Sequence, residues 1–188
     1  LIVADDAWFV PGRYGVDYAA AAREMAQAVA ACGARNLTMD RFDVQALRYC
    51  LLPLCQDTGC VLHMHLATSG EVAQFALLMD EFEGVRALVS AQEAAQRSLI
   101  DAAASRVRML VCLSGAQQLG YALEKLGTRF AAYSAGAVLP EQMLGRWLLE
   151  KENIWQALCD AYLPLAKAGY ELESGAIERD VRRILSDH

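Results

Sequence analysis

The stretch MLVCL at residues 109–113 is a continuous apolar run without alternating polar positions. A strand covered on both faces has this pattern, whereas a strand with one face in water alternates. Similar runs begin at Leu1 and near residues 36, 60, 85, 107 and 129, so the last five starts lie 24, 25, 22 and 22 residues apart. Longer amphipathic stretches separate these runs. Such alternation at a steady spacing predicts βα units and a parallel sheet.

Six strand–helix units fit two architectures. One is a doubly wound open sheet, and the other is most of a closed (βα)8 or TIM barrel that lacks two units. The nearly constant unit length favours the barrel. We therefore expect an α/β chain with barrel units over residues 1–139 and a helical extension over residues 140–188.

Helix signals lie between the apolar runs. An alanine-rich helix is predicted over Tyr18–Ala31, ending near Gly33, and a second over Asp43–Asp57, which Pro53 shortens or kinks. Serines are predicted to cap the next three helices, which cover 70–82, 91–104 and 116–126: Ser69, Ser90 and Ser114. The last two helices are predicted over 140–168 and 174–185.

Composition excludes several classes of protein. The 188 residues are 55% hydrophobic with a net charge of −6, which excludes disorder and leaves no basic stripe for nucleic acid. No apolar run reaches the ~18 residues of a membrane span. The six cysteines lack a CxxC pair, and buried free thiols in a cytoplasmic protein are the simplest interpretation.

Chemistry in either architecture lies where the strands end at their carboxyl termini. This rule selects polar residues after each apolar run: Asp5, Asp6, Asp40, His63, His65, Ser90, Ser114 and Ser134. In His63–Met64–His65, the two-residue period of a strand places both imidazoles on one side. They suit a divalent metal together with a carboxylate such as Asp40, a polar ligand site, or a structural role.

The remaining signals are weaker. Asp5–Asp6 resembles the acidic pair of a phospho-receiver domain, but no lysine follows a late strand to complete that site. The turns at Ser114–Gly115 and 134–136 could bind an anion through backbone N–H groups, or could simply need small residues. The loop over 5–15 is either a lid or a packed end of the sheet.

The second half of the chain resembles the dihydrodipicolinate synthase and N-acetylneuraminate lyase family. The similarity lies in LSG at 113–115, ALEKLG at 122–127, AYSAGAVLP at 132–140, and the tail from Glu152 to Leu165. It implies a TIM barrel with C-terminal helices, in which the six strands are the third to eighth. Two units would then precede Leu1.

The resemblance also implies a Schiff base between a keto acid and a lysine on the sixth barrel strand. The alignment places Val89 at the lysine position, or Ser90 after a shift of one residue, and no lysine precedes Lys125. The family's proton-relaying tyrosine falls at Met64, with His65 in place of the asparagine that follows it. An imine requires a primary amine, so this covalent chemistry is predicted to be lost.

Two functions follow from these observations. The first is a lyase or aldolase-type enzyme for a small keto or hydroxy acid, without a metal or other cofactor. His63 or His65 would act as acid and base, and Asp5, Asp40, Ser90, Ser114, Gly115 and Ser134 would bind the ligand. The second is a non-catalytic ligand-binding or structural member of the same family. Apolar residues of the long helix, among them Leu148 and Trp155, belong to the core or to a surface between subunits of a homo-oligomer.

Overall fold

A computed structural model describes residues 1–9, 11–12, 15–39, 41–132 and 140–185. The strands in these ranges are β1 (Ile2–Ala4), β2 (Pro11–Gly12), β3 (Gly15–Val16), β4 (Asn36–Met39), β5 (Val61–Leu66), β6 (Arg86–Ala91), β7 (Met109–Cys112) and β8 (Phe130–Ala131). Six of them form one parallel sheet in the order β1-β4-β5-β6-β7-β8. The other two, β2 and β3, form a short antiparallel pair.

Helical segments follow every strand of the sheet. The helices are α1 (Tyr18–Cys32), α2 (Val44–Ala46), α3 (Leu52–Thr58), α4 (Ser69–Glu81), α5 (Glu93–Ala104), α6 (Ala116–Leu126), α7 (Pro140–Lys167) and α8 (Ser174–Leu185). A short 3-10 helix also covers Asp6–Trp8. No helix in the described part of the chain is long and apolar enough to cross a membrane.

The strand order confirms the predicted βα units. All six predicted starts fall within two residues of the start of a strand of the sheet, because clear helical patterns separate the apolar runs. A doubly wound sheet would reverse its strand order at a switch point, and the described strands show no reversal. The outer strands β1 and β8 are not paired with each other among the described residues, so the described sheet is not a closed ring.

The helices cover one face of the sheet. In β5, Leu62, Met64 and Leu66 are buried, whereas Val61 is half-buried and His65 is exposed. Right-handed crossovers between neighbouring strands taken in sequence place the connecting helices on the same side. We call the other side the open face. The prediction that residues 109–113 are covered on both faces is therefore wrong for β7, whose Leu110 and Cys112 lie half-buried on the open face.

Polar side chains determine where several helices begin. The Thr68 hydroxyl accepts from the Glu71 backbone N–H, and the Glu71 carboxylate accepts from the Ala67 N–H, so Thr68 caps α4 instead of the predicted Ser69. The predicted cap Ser90 lies inside β6, and Gln92 occupies the cap of α5. Gly115, with φ of 86°, takes the cap position predicted for Ser114.

The proline in the second predicted helix widens the helix without ending it. Pro53 has no backbone N–H and cannot bond to the carbonyl four residues earlier. Residues Leu47–Leu51 form a π-helical turn instead, and the Leu52 N–H donates to the Leu47 carbonyl. The chain therefore stays helical from α2 through α3, and Gly59 in the left-handed conformation ends it.

The last two helices pack against the end of the sheet. Ile154, Ala157 and Leu158 of α7 are buried in the common core, and Ile184 of α8 is buried beside β8. A 2.6 Å hydrogen bond from the Tyr162 hydroxyl to Asp180 joins the two helices. The core interpretation of the large apolar residues is wrong for Leu148 and Trp155, which are 58% and 62% exposed.

Candidate functional site

Both sequence-predicted histidines face a cavity on the open face, towards the carboxyl ends of the strands. The cavity has a volume of about 290 Å³, and Thr38, His63, His65, Leu88, Ser90 and Cys112 contribute to its lining. The two-residue period of β5 brings both imidazoles to this side, as the sequence predicted. The neighbouring strand β6 contributes Ser90 to the same cavity, because the Cα of Ser90 pairs with that of His65 across the two strands.

His65 and Ser90 are in direct contact. The His65 Nδ1 lies 3.0 Å from the Ser90 Oγ. The same hydroxyl lies 3.5 Å from the Met64 carbonyl oxygen, to which it can donate a long hydrogen bond. The contact fixes one ring nitrogen of His65 and leaves Nε2 for a second partner.

His63 has a different environment. Its Nε2 lies 3.1 Å from the Asn36 Oδ1, and the ring is half-buried. Burial lowers the pKa of this imidazole below its ordinary value, because the charged form loses hydration. His63 is thus held neutral, with Nε2–H donating to Asn36 and Nδ1 left as an acceptor.

The described residues do not assemble a metal centre. No group of three or more histidine, cysteine or acidic side chains among them could hold a metal ion. Asp40, the carboxylate in that hypothesis, lies outside the described residues. Cys112 does not supply a thiolate, since burial raises the pKa of its thiol to about 11.

Both acidic residues at the end of β1 already accept hydrogen bonds from other groups of the chain. Asp5 Oδ1 accepts from the Ala7 N–H at 3.0 Å and caps the 3-10 helix. The Asp6 carboxylate receives two hydrogen bonds from Arg41, at 2.8 and 3.0 Å. Both acids line a second cavity of about 180 Å³, which shares only Met39 with the histidine cavity.

The predicted anion turn after β7 already has an anionic partner from the chain itself. The Gly115 N–H donates to Glu150 Oε2 at 3.4 Å, and the Asn153 amide donates to the same oxygen at 3.3 Å. A carboxylate at the N-terminus of α6 is electrostatically favourable and anchors α7 there. Ser114 and Gly115 do not line the histidine cavity, and Ser134 lies outside the described residues.

The structure distinguishes the two positions considered for the family's lysine. Val89 is fully buried and Met64 is 3% exposed, so both point to the helices. Ser90 and His65, one residue further along, face the cavity. The side chains of Lys125, Lys151 and Lys167 lie on helices α6 and α7 and are exposed. The described sheet therefore presents no amine.

A set of arginines was not predicted from the sequence. Arg86, Arg108 and Arg129 lie at the start of β6, β7 and β8, and together with Arg183 they line a cleft of about 720 Å³ at the amino end of the open face. The first three are 22 and 21 residues apart. Their recurrence at the same point of each βα unit is the signal that could have identified them.

Comparisons with known proteins add no relative. A scan against protein-family models, a search of curated proteins and a search of solved structures found no significant match. The resemblance to the dihydrodipicolinate synthase and N-acetylneuraminate lyase family stays a prediction.

Proposed function

We propose that this chain is a TIM-barrel-type lyase that cleaves or forms a bond in a small keto or hydroxy acid by acid–base catalysis. The 3.0 Å contact between His65 Nδ1 and Ser90 Oγ carries the proposal. It joins a titratable ring to a hydroxyl on adjacent strands, beside a cavity at the end of the sheet where α/β enzymes hold their substrates.

The hydrogen bonds of Ser90 suit His65 to the role of base. When Ser90 donates to the Met64 carbonyl, His65 Nδ1–H donates to the serine oxygen. The Nε2 lone pair is then available to accept a proton. Rotation of the serine O–H towards Nδ1 favours the other tautomer, in which Nε2–H is a donor. The pair therefore supports both halves of an acid–base cycle.

A bond cleavage can be written without an imine. His65 Nε2 takes the proton of the substrate hydroxyl, the O–H electron pair forms a carbonyl, and the neighbouring C–C bond breaks. Its electrons pass to the keto acid fragment as an enolate, whose oxygen accepts a hydrogen bond from Thr38 in the same cavity. His65 then returns the proton to the enolate carbon. His63, kept neutral by burial, offers Nδ1 as a further acceptor for the ligand.

The absence of a Schiff base is tested by treating the protein with pyruvate and borohydride. We expect no mass increase in the wild-type chain, because no amine reaches the cavity. A Ser90→Lys variant should form the adduct, since position 90 faces the cavity. A stable wild-type adduct, or an adduct at Lys125, would overturn the assignment.

Acid–base catalysis is tested by pyruvate release from a panel of 4-hydroxy-2-keto acids. His65→Gln should lower kcat by about 10²- to 10⁴-fold. Ser90→Ala should lower kcat and shift its pH profile, because the ring loses its partner. The matched control is Ser98→Ala, a half-buried serine of α5 whose hydroxyl donates to Ser69 outside the cavity. Equal turnover in wild type and His65→Gln would remove the proposal.

The alternative is a non-catalytic member of the family. The occupied N-terminus of α6 favours it, because Glu150 already takes the position where an acidic ligand would bind. If the panel shows no turnover but a keto acid binds with loss of affinity in His65→Gln, this second function is the one supported.

A further inference from the structure

We propose that the cleft at the amino end of the open face binds an amphipathic anion, a molecule with an apolar body and a phosphate or carboxylate group. The cleft adjoins the proposed catalytic cavity and shares His63 and Leu88 with it, but the four arginines line the cleft and not the catalytic cavity. The cleft's volume of about 720 Å³ is within the usual range of small-molecule pockets. It would accommodate a ligand larger than a small keto acid.

The charge of the cleft is of one sign. Arg86, Arg108, Arg129 and Arg183 contribute to its lining, and no carboxylate is among the described residues that line it. The whole chain carries a net charge of −6, so the positive charge of this cleft is opposite in sign to the net charge of the protein. Guanidinium groups bind phosphates and carboxylates through paired N–H donors.

Three of the arginines have guanidinium N–H groups that could donate to a ligand. Arg86 makes one long contact, 3.4 Å from Nη2 to the Gly59 carbonyl, and both Arg86 and Arg183 are exposed at the mouth of the cleft. Arg129 donates through Nη2 to Ala103 and Ala104, but its buried Nη1 has no partner among the described residues. A buried donor of this kind is costly unless a ligand or water accepts from it.

The apolar part of the ligand is indicated by the other lining residues. Leu88 and Leu110 are paired neighbours on β6 and β7, and Val61 of β5 lies beside Arg86. All three are half-buried and line the cleft. An apolar chain lying over these side chains would place its charged end among the arginines.

The site is tested by calorimetry with decyl phosphate as the probe. Decanol and inorganic phosphate should each bind much more weakly, because each lacks one half of the recognition. Arg86→Gln and Arg183→Gln should each weaken decyl phosphate binding about tenfold, the loss of one charge-assisted hydrogen bond. Arg182→Gln, the same change on the neighbouring residue of α8, should leave binding unchanged.

Several results would overturn the proposal. These are equal binding by wild type and Arg183→Gln, binding of inorganic phosphate as tight as that of decyl phosphate, or affinity that does not fall with added salt. Binding is also expected to be unaffected by His65→Gln, and turnover by Arg183→Gln. The two sites therefore fail or succeed separately.

Discussion

Replacing Arg108 with methionine should destabilise the protein strongly, because this side chain holds the end of α4. Its Nη1 donates to the Phe82 carbonyl at 2.8 Å, and its Nη2 donates to the Met79 carbonyl at 3.2 Å. Carbonyls at the end of a helix have no partner within the helix, and they carry partial negative charge. The half-buried guanidinium of Arg108 satisfies two of them.

The size of the effect follows from these two bonds. A hydrogen bond with a charged partner contributes about 1.5–3 kcal/mol, and a cation at a helix C-terminus contributes about 0.3–1 kcal/mol more. Methionine keeps most of the apolar stem, so little packing is lost. Because the guanidinium is only half-buried, solvent screens part of this interaction, and we expect the free energy of unfolding to fall by about 3 kcal/mol, near the lower end of the summed range.

Urea unfolding followed by far-UV circular dichroism measures this change. Arg108→Lys should fall between wild type and Arg108→Met, because one ammonium cannot reach both carbonyls equally well. The control is Arg23→Met, an exposed position on α1 that should change stability by less than about 0.5 kcal/mol. A loss below about 1 kcal/mol in Arg108→Met would refute the capping role.

Three further predictions concern single side chains. Thr68→Ala should cost about 1 kcal/mol in urea unfolding through loss of the α4 cap, while Thr68→Ser should be nearly neutral. Burial lowers the pKa of His63, so the unfolded chain binds more protons and wild-type stability should fall as the pH drops through about 6.5. His63→Gln should flatten this pH dependence in parallel urea titrations, and an unchanged slope would contradict it. The raised pKa of the Cys112 thiol predicts slow alkylation by iodoacetamide at mildly alkaline pH, compared with exposed Cys32, as read by mass spectrometry. Faster labelling of Cys112 would show that its burial is incomplete in solution.

Elements with strong local signals were predicted well. The bounds of α6 and α8 agree with the sequence pattern, and α1 differs by one residue. These helices have a consistent apolar face, and glycines end α1 and α6. Caps were predicted less well: Thr68 caps α4 instead of its neighbour Ser69, and Gln92 and Gly115 take the cap positions predicted for Ser90 and Ser114. The capping residue depends on where the preceding strand ends, and the local sequence does not specify that residue.

The candidate site was predicted in part. The alternation of side chains along a strand is a local property, so the sequence alone placed His63 and His65 on one side of β5. The partner of His65 could not be predicted, because it depends on the register between β5 and β6. A shift of one residue would exchange Ser90 for the apolar Val89.

The amino acid sequence by itself determined the class of the fold. Apolar runs and helical patterns are properties of neighbouring residues, so alternating units and a parallel sheet follow from them. Tertiary structure alone decided which face of the sheet the helices cover, and hence which side chains meet. The arginines at the strand starts and the His65–Ser90 pair are each separated by more than twenty residues in the chain, and only strand pairing brings them together.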